Sequence, residues 1–172
     1  KIRDYKLTEI NKILKALSLP PFEVDPMRSV LMQNKILHIK FGELKQVKNE
    51  RMEQLDRIIS KLKKVTHLLG VEYQEPIFAT SIPSELELVN LHSELRKQEE
   101  NLEKRRRIFD SIKGVVLKHV NELEYKSATH QTDDRKCIDM LNPTGPEVIY
   151  SQENMSLMNA FHKKMNKLYR TP

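Results

Sequence analysis

The sequence predicts an all-helical fold, an elongated antiparallel hairpin of two long helices with shorter flanking helices, and three observations predict it. The chain is rich in Leu, Glu, Lys and Arg, with 6% aromatic residues, four Gly and no Trp, a mixture that favours long helices over sheets. Leu88, Leu95, Leu102, Phe109, Val116 and Leu123 stand seven apart without a miss, the spacing of a helical seam. Pro20-Pro21, Gly70 and Pro83-Ser84 then punctuate the chain where helices should stop and start.

The first helix is expected over residues 3–19, where Leu7, Ile10, Leu14 and Leu17 make one apolar stripe. Pro20-Pro21 ends it, because an interior proline clashes and removes a donor. The second helix is expected to start with Asp25 as N-cap and Pro26 in the first helical position. It runs to Leu69 on the stripe Leu37, Phe41, Leu44, Leu55, Ile58, Leu62, Val65 and Leu69, with Gly70 as its C-terminal cap. The third starts at a capping box, Ser84 with Glu87. Its companion seam position holds Leu91 and Ile112, and otherwise the polar Gln98, Arg105 and His119.

At 1.5 Å per residue each long helix would reach about 65 Å. The connection from Gly70 to Pro83 is expected to be too short to carry the chain back along that length, which makes the two helices antiparallel. In residues 127–150, Thr132, Asp133, Asp134, Asn142, Pro143, Thr144, Gly145 and Pro146 break any periodicity. The segment reads either as a mobile excursion or as a strap anchored by Val148, Ile149 and Tyr150. A last helix over residues 151–169 uses Met158, Phe161, Met165 and Leu168. The expected division is a short helix and junction over 1–24, the hairpin over 25–126, an irregular insert over 127–150 and a C-terminal helix over 151–172. The chain begins at Lys1 rather than Met and reads as a piece of something longer.

The formal net charge is +6, and residues 26–69 carry an excess of that size, with ten Lys and Arg against four Asp and Glu. Residues 84–126 balance nine against nine. Within them Lys104, Arg105, Arg106 and Arg107 are four consecutive cations spread around more than one turn, with Arg105 in the seam phase. Glu99, Glu100 and Glu103 can neutralise part of the run; the remainder is a candidate patch for a protein partner. A nucleic-acid reader would bring a recognisable module or interleaved aromatics, and a membrane span would need about twenty apolar residues; neither pattern occurs.

Chemistry is not expected. Four scattered Gly build no phosphate loop. His38, His67, His92, His119, His130 and His162 lack the i, i+4 His partner or nearby Cys of a zinc site. No metal or cofactor is therefore expected. Exposed carboxylates such as Glu94 and Glu103 have nothing to raise their pKa. Cys137, the single cysteine, excludes an internal disulfide and fits a reducing compartment. Arg135 and Lys136 beside it would depress its pKa, although a tolerated structural thiol is the preferred reading.

Three stretches carry a family resemblance: residues 82–95 from Ile82-Pro83-Ser84-Glu85-Leu86 onward; Lys104-Arg105-Arg106-Arg107-Ile108-Phe109-Asp110-Ser111-Ile112-Lys113; and Val120-Asn121-Glu122-Leu123-Glu124. Together with Leu68-Leu69-Gly70, the junction Leu17-Ser18-Leu19-Pro20-Pro21-Phe22 and the charged segment 45–57, they resemble the rod of the microtubule-bundling MAP65, anaphase-spindle-elongation and protein-regulator-of-cytokinesis family. The resemblance covers residues 1–126, and 150–170 more weakly. It implies a non-enzymatic dimerisation and rod segment of a homodimeric crosslinker of antiparallel microtubules, working at the spindle midzone in anaphase and cytokinesis. It also implies mitotic kinesin and centralspindlin-type partners, with microtubule binding assigned to regions outside this chain. The implied locations are cytoplasm, cytoskeleton, midzone and midbody, and the nucleus in interphase. By the same resemblance Lys104 to Arg107, Leu17 and Phe22 are the candidate partner contacts. The competing reading is a helical scaffold or tether subunit of an unrelated complex.

Overall fold

The computed structural model describes residues 2–123, 132–142 and 147–170. They form five α-helices, α1 (Ile2–Ala16), α2 (Val30–Leu69), α3 (Glu85–Glu122), α4 (Thr132–Leu141) and α5 (Gln152–Arg170), and no strand occurs among the described residues. The chain divides into two compact units, residues 1–61 with 75–94 and residues 62–74 with 95–172, so α2 and α3 each contribute to both.

In the first unit α1 buries Ile10, Ile13 and Leu14 against Leu37 and Leu44 of α2, and Ile82 completes the cluster. Fully burying an aliphatic side chain of this size contributes about 1.5–3 kcal/mol. The helix stops at Ala16, before the prolines are reached. Ser18 takes a left-handed φ of 58°, its amide donates to the Lys15 carbonyl at 3.0 Å, and that of Leu19 to Leu14 at 2.8 Å. This is a Schellman ending. The Pro20-Pro21 turn is then pinned where Asn11 Oδ1 accepts from the Phe22 amide at 2.8 Å.

The cap of α2 differs from expectation. Asp25 closes a turn ahead of the helix, its Oδ1 accepting from the Met27 amide at 2.9 Å, while Ser29 Oγ accepts from the Met32 amide and the helix starts at Val30. Gln33 is buried beneath that turn. Its Nε2 donates to the Pro26 and Arg28 carbonyls, and Arg3 donates to its Oε1 at 2.7 Å. The capping box of α3 forms as read, with Ser84 and Glu87 exchanging bonds of 3.0 and 3.1 Å.

The start of α3 overturns the antiparallel hairpin. Pro83 O accepts from Arg51 at 3.3 Å, and Glu85 lies 3.6 Å from the same guanidinium. In the first unit α3 thus begins beside the middle of α2, whereas an antiparallel hairpin would start it beside Leu69. The connection does carry the chain back, because extended backbone covers up to about 3.3 Å per residue where a helix rises about 1.5 Å. The return begins at Gly70 in the second unit. With φ at 68° it closes a second Schellman ending, Gly70 to His67 and Val71 to Thr66, both 3.0 Å. Tyr73 then lies back under Lys63, whose Nζ is 5.4 Å from the ring centre.

The core of the second unit joins Phe109, Ile112, Val116 and Val120 of α3 to Cys137 and Leu141 of α4 and Met158, Phe161 and Met165 of α5. Helix α4 corrects the irregular insert: Asp133 and Asp134, read as breakers, form an acidic first turn, which suits the positive end of a helix dipole. Asp134 also pairs with Lys164 of α5. Helix α5 is capped by Ser151 Oγ, which accepts from the Asn154 amide at 3.1 Å. Leu123 and Leu168, expected in the stripes, are exposed. His130 and the turn residues Pro143 to Pro146 lie outside the described residues.

Candidate functional site

The four cations of the basic run are placed in four different ways. Arg105, in the seam phase, points inward, and its guanidinium donates to the Tyr150 carbonyl at 2.6 Å and the Leu69 carbonyl at 3.4 Å. It therefore caps the negative end of α2 and holds the non-helical segment before α5, combining a charge-assisted bond with a favourable dipole position. Arg106 lies over the Tyr150 ring at 5.7 Å, and Phe109 meets the same ring edge-on at 5.6 Å. The Tyr150 amide donates to the Leu68 carbonyl at 2.6 Å. Within the 127–150 segment, these contacts hold Tyr150 against the end of α2 and the middle of α3 as an anchor.

Arg107 is exposed and pairs with Glu103 one turn back at 3.3 Å, an arrangement of small energetic value. Lys104 is exposed, and no carboxylate pairs with it among the described residues. At the other candidate position, Leu17 and Phe22 are half-buried against the core of the first unit, with Lys40 Nζ 5.5 Å from the Phe22 ring. The structure brings Leu17 and Phe22 together as packing residues in one unit and the basic run in the other.

Sequence reasoning missed the environment of several polar groups. His119 is buried, stacks on Tyr169 at 4.2 Å and leaves Nδ1 without a hydrogen-bond partner among the described residues. The Tyr169 phenol bonds to the Glu122 carboxylate, which pushes its pKa up. Cys137 reverses the expected sign. Burial pushes its thiol up to about 11, with Asp134 and then Asp133 adding to the effect. Arg135 and Lys136 are exposed, where solvent screens them, so the thiol is structural. Asp133 and Asp134 stand four and three positions before Cys137, the spacing at which helical side chains are neighbours, a signal readable only once the segment is known to be helical.

Among the described residues no group of three or more His, Cys, Asp or Glu is arranged to hold a metal ion, and no helix is long and apolar enough to cross a membrane. What the surface does offer is side chains for protein contact: Met27, Val30 and Leu31 near the start of α2, Leu86 and Val89 on α3, and Ile108 and Val115 further along α3, all exposed.

The helices of this chain carry polar side chains that serve caps, a strap and core packing. The chain belongs to the MAP65/ASE1 family of microtubule-associated proteins, whose family model matches residues 2–171. Its role is non-enzymatic, of the microtubule-crosslinking kind, and its setting is the cytoskeleton. Comparison with curated proteins finds no match.

Proposed function

We propose that this chain is the dimerisation and rod segment of a homodimeric protein that crosslinks antiparallel microtubules at the spindle midzone during anaphase and cytokinesis. The family match over residues 2–171 carries this reading. Two uninterrupted helices of 40 and 38 residues support it, because a helix is stiff along its axis and spaces whatever its ends carry by about 1.5 Å per residue. The mechanism is mechanical. Self-contact between two copies sets the filament-binding parts of the dimer on opposite microtubules, and the helices fix the distance. The chain also docks protein partners, with mitotic kinesins and centralspindlin-type proteins the expected class. Lys104 is the member of the basic run best placed for that contact, since Arg105 and Arg106 are occupied by the strap. The midbody, and the nucleus in interphase, are the further expected locations.

Microtubule co-sedimentation of the full-length protein and of this chain, each with its oligomeric mass measured by light scattering, tests the reading. The full-length protein is expected to pellet with microtubules and bundle them, and this chain to self-associate at micromolar concentration. A 20.3 kDa monomer would remove the dimerisation role from this segment. Failure of the full-length protein to bundle would remove the crosslinking role altogether.

A further inference from the structure

We propose that the outer face of α3 in the second unit is a docking surface for an acidic amphipathic helix of a partner protein. Residues 97, 101, 104, 108, 111, 115 and 118 advance by alternating steps of four and three, which keeps them in one line along a helix. That line is Lys97, Asn101, Lys104, Ile108, Ser111, Val115 and Lys118, and every member is exposed. Ile108 and Val115 keep 53% and 42% of their surface. Lone exposed aliphatics are ordinary on any protein. Three further observations set these two apart.

They stand seven residues apart, the spacing at which a second helix presents its own apolar side chains. Their β-branching is mildly unfavourable in a helix, and they gain no core packing in return. Finally, three of the seven members are lysines and none is a carboxylate, although residues 84–126 as a whole carry as many acids as bases. Lys97, Lys104 and Lys118 form no ion pair among the described residues, whereas Arg105, Arg106 and Arg107 are each engaged.

Charge complementarity selects the occupant. Apolar residues seven apart on the partner would cover Ile108 and Val115, and carboxylates flanking them would meet the three lysines. A lipid surface fits less well, because a helix lying on a membrane presents a broad apolar face rich in Trp, Phe and Leu, and this line offers two β-branched side chains. The inference rests on the reading of the chain as a segment that docks proteins, but its test uses peptide binding and no filaments, so it can fail while the crosslinking reading stands.

The probe is a labelled helical peptide with Leu at positions seven apart and Glu flanking them, titrated against the whole chain by fluorescence anisotropy. Saturable micromolar binding that weakens with added salt is expected, together with none by the same peptide carrying Lys in place of Glu. Ile108→Asp is expected to weaken binding about tenfold or more. Lys104→Glu is expected to weaken it several-fold and to bring in the Lys-flanked peptide, with the circular dichroism of both variants unchanged. Equal binding by either variant and the parent chain, or by the two peptides, overturns the proposal. So does binding of phosphatidylserine vesicles, or self-association without peptide, that is lost on Ile108→Asp, since either outcome assigns the face to lipid or to a second copy.

Discussion

Ser18 and Gly70 both close helices from the left-handed region, at φ 58° and 68°, and the physical cost of the two is opposite. An L side chain in that region costs roughly 1–2 kcal/mol, and glycine avoids it. Ser18 is exposed, so Ser18→Gly is expected to raise stability by about 0.5–1 kcal/mol, part of the relief being offset by the freer unfolded chain. At Gly70 a Cβ would also stand 2.6 Å from Ser151 Cβ and 3.3 Å from Ser151 Cα. Gly70→Ala therefore combines backbone strain with a collision against backbone that cannot swing away, and a loss of about 2 kcal/mol or more is expected. Thermal and urea unfolding of the two variants check the pair. A neutral Gly70→Ala would mean that the α5 entry gives way more easily than its hydrogen bonds suggest.

At the scale of the element, the start of α3 is pH-sensitive in a stated direction. Glu87 accepts from the Ser84 and Ala79 amides, and these bonds, that to the Ser84 backbone foremost, hold its carboxyl below the ordinary carboxylate value. A folded pKa below the unfolded one means the stabilisation is complete above the ordinary carboxylate range and is lost as pH falls through the lowered value. Amide resonances of Ala79 and Ser84, followed by NMR down to acid pH, are expected to shift together in that window. In Glu87→Gln, which keeps an acceptor but does not titrate, they are expected to stay flat, and a matching shift there would assign the transition to another group.

The strap tests the division of labour within the basic run. Arg105→Met removes a charged donor from two carbonyls, and removing such bonds costs about 1.5–3 kcal/mol. Lys104→Met is a surface change expected to stay within about 0.5 kcal/mol. Unfolding midpoints of the two variants, with hydrogen exchange at the Tyr150 amide, separate them. Equal effects would show that the clamp contributes nothing beyond a surface charge.

For the whole molecule, what was legible in the sequence was what is local. The capping box at Ser84, the end at Gly70 and the seam from Leu88 to Val116 each depend on residues within one or two turns, and each appears where its pattern put it. The seam fails at Leu123, which is exposed one residue past the end of α3. Direction was not legible. Loop length bounds reach only if the loop's conformation is known, and the non-helical Gly70–Pro83 can cover more length per residue than a helix does. Helix α4 was hidden because Thr132, Asp133 and Asp134 suit a turn and a helix start equally well. At the candidate site the phase of Arg105 was readable from the heptads. Its acceptors were not, because Tyr150 is 45 positions away in the chain and no periodicity links them.

That separation has a consequence for synthesis. Arg105 and the carbonyl end of α2 leave the ribosome without the residue that seals them, and 45 further positions must be added before Tyr150 exists. At typical elongation rates of 5–20 residues per second the interval is roughly 2–9 s. For that time Phe109 lacks the ring that meets it edge-on, and the Arg105 guanidinium lacks the Tyr150 carbonyl.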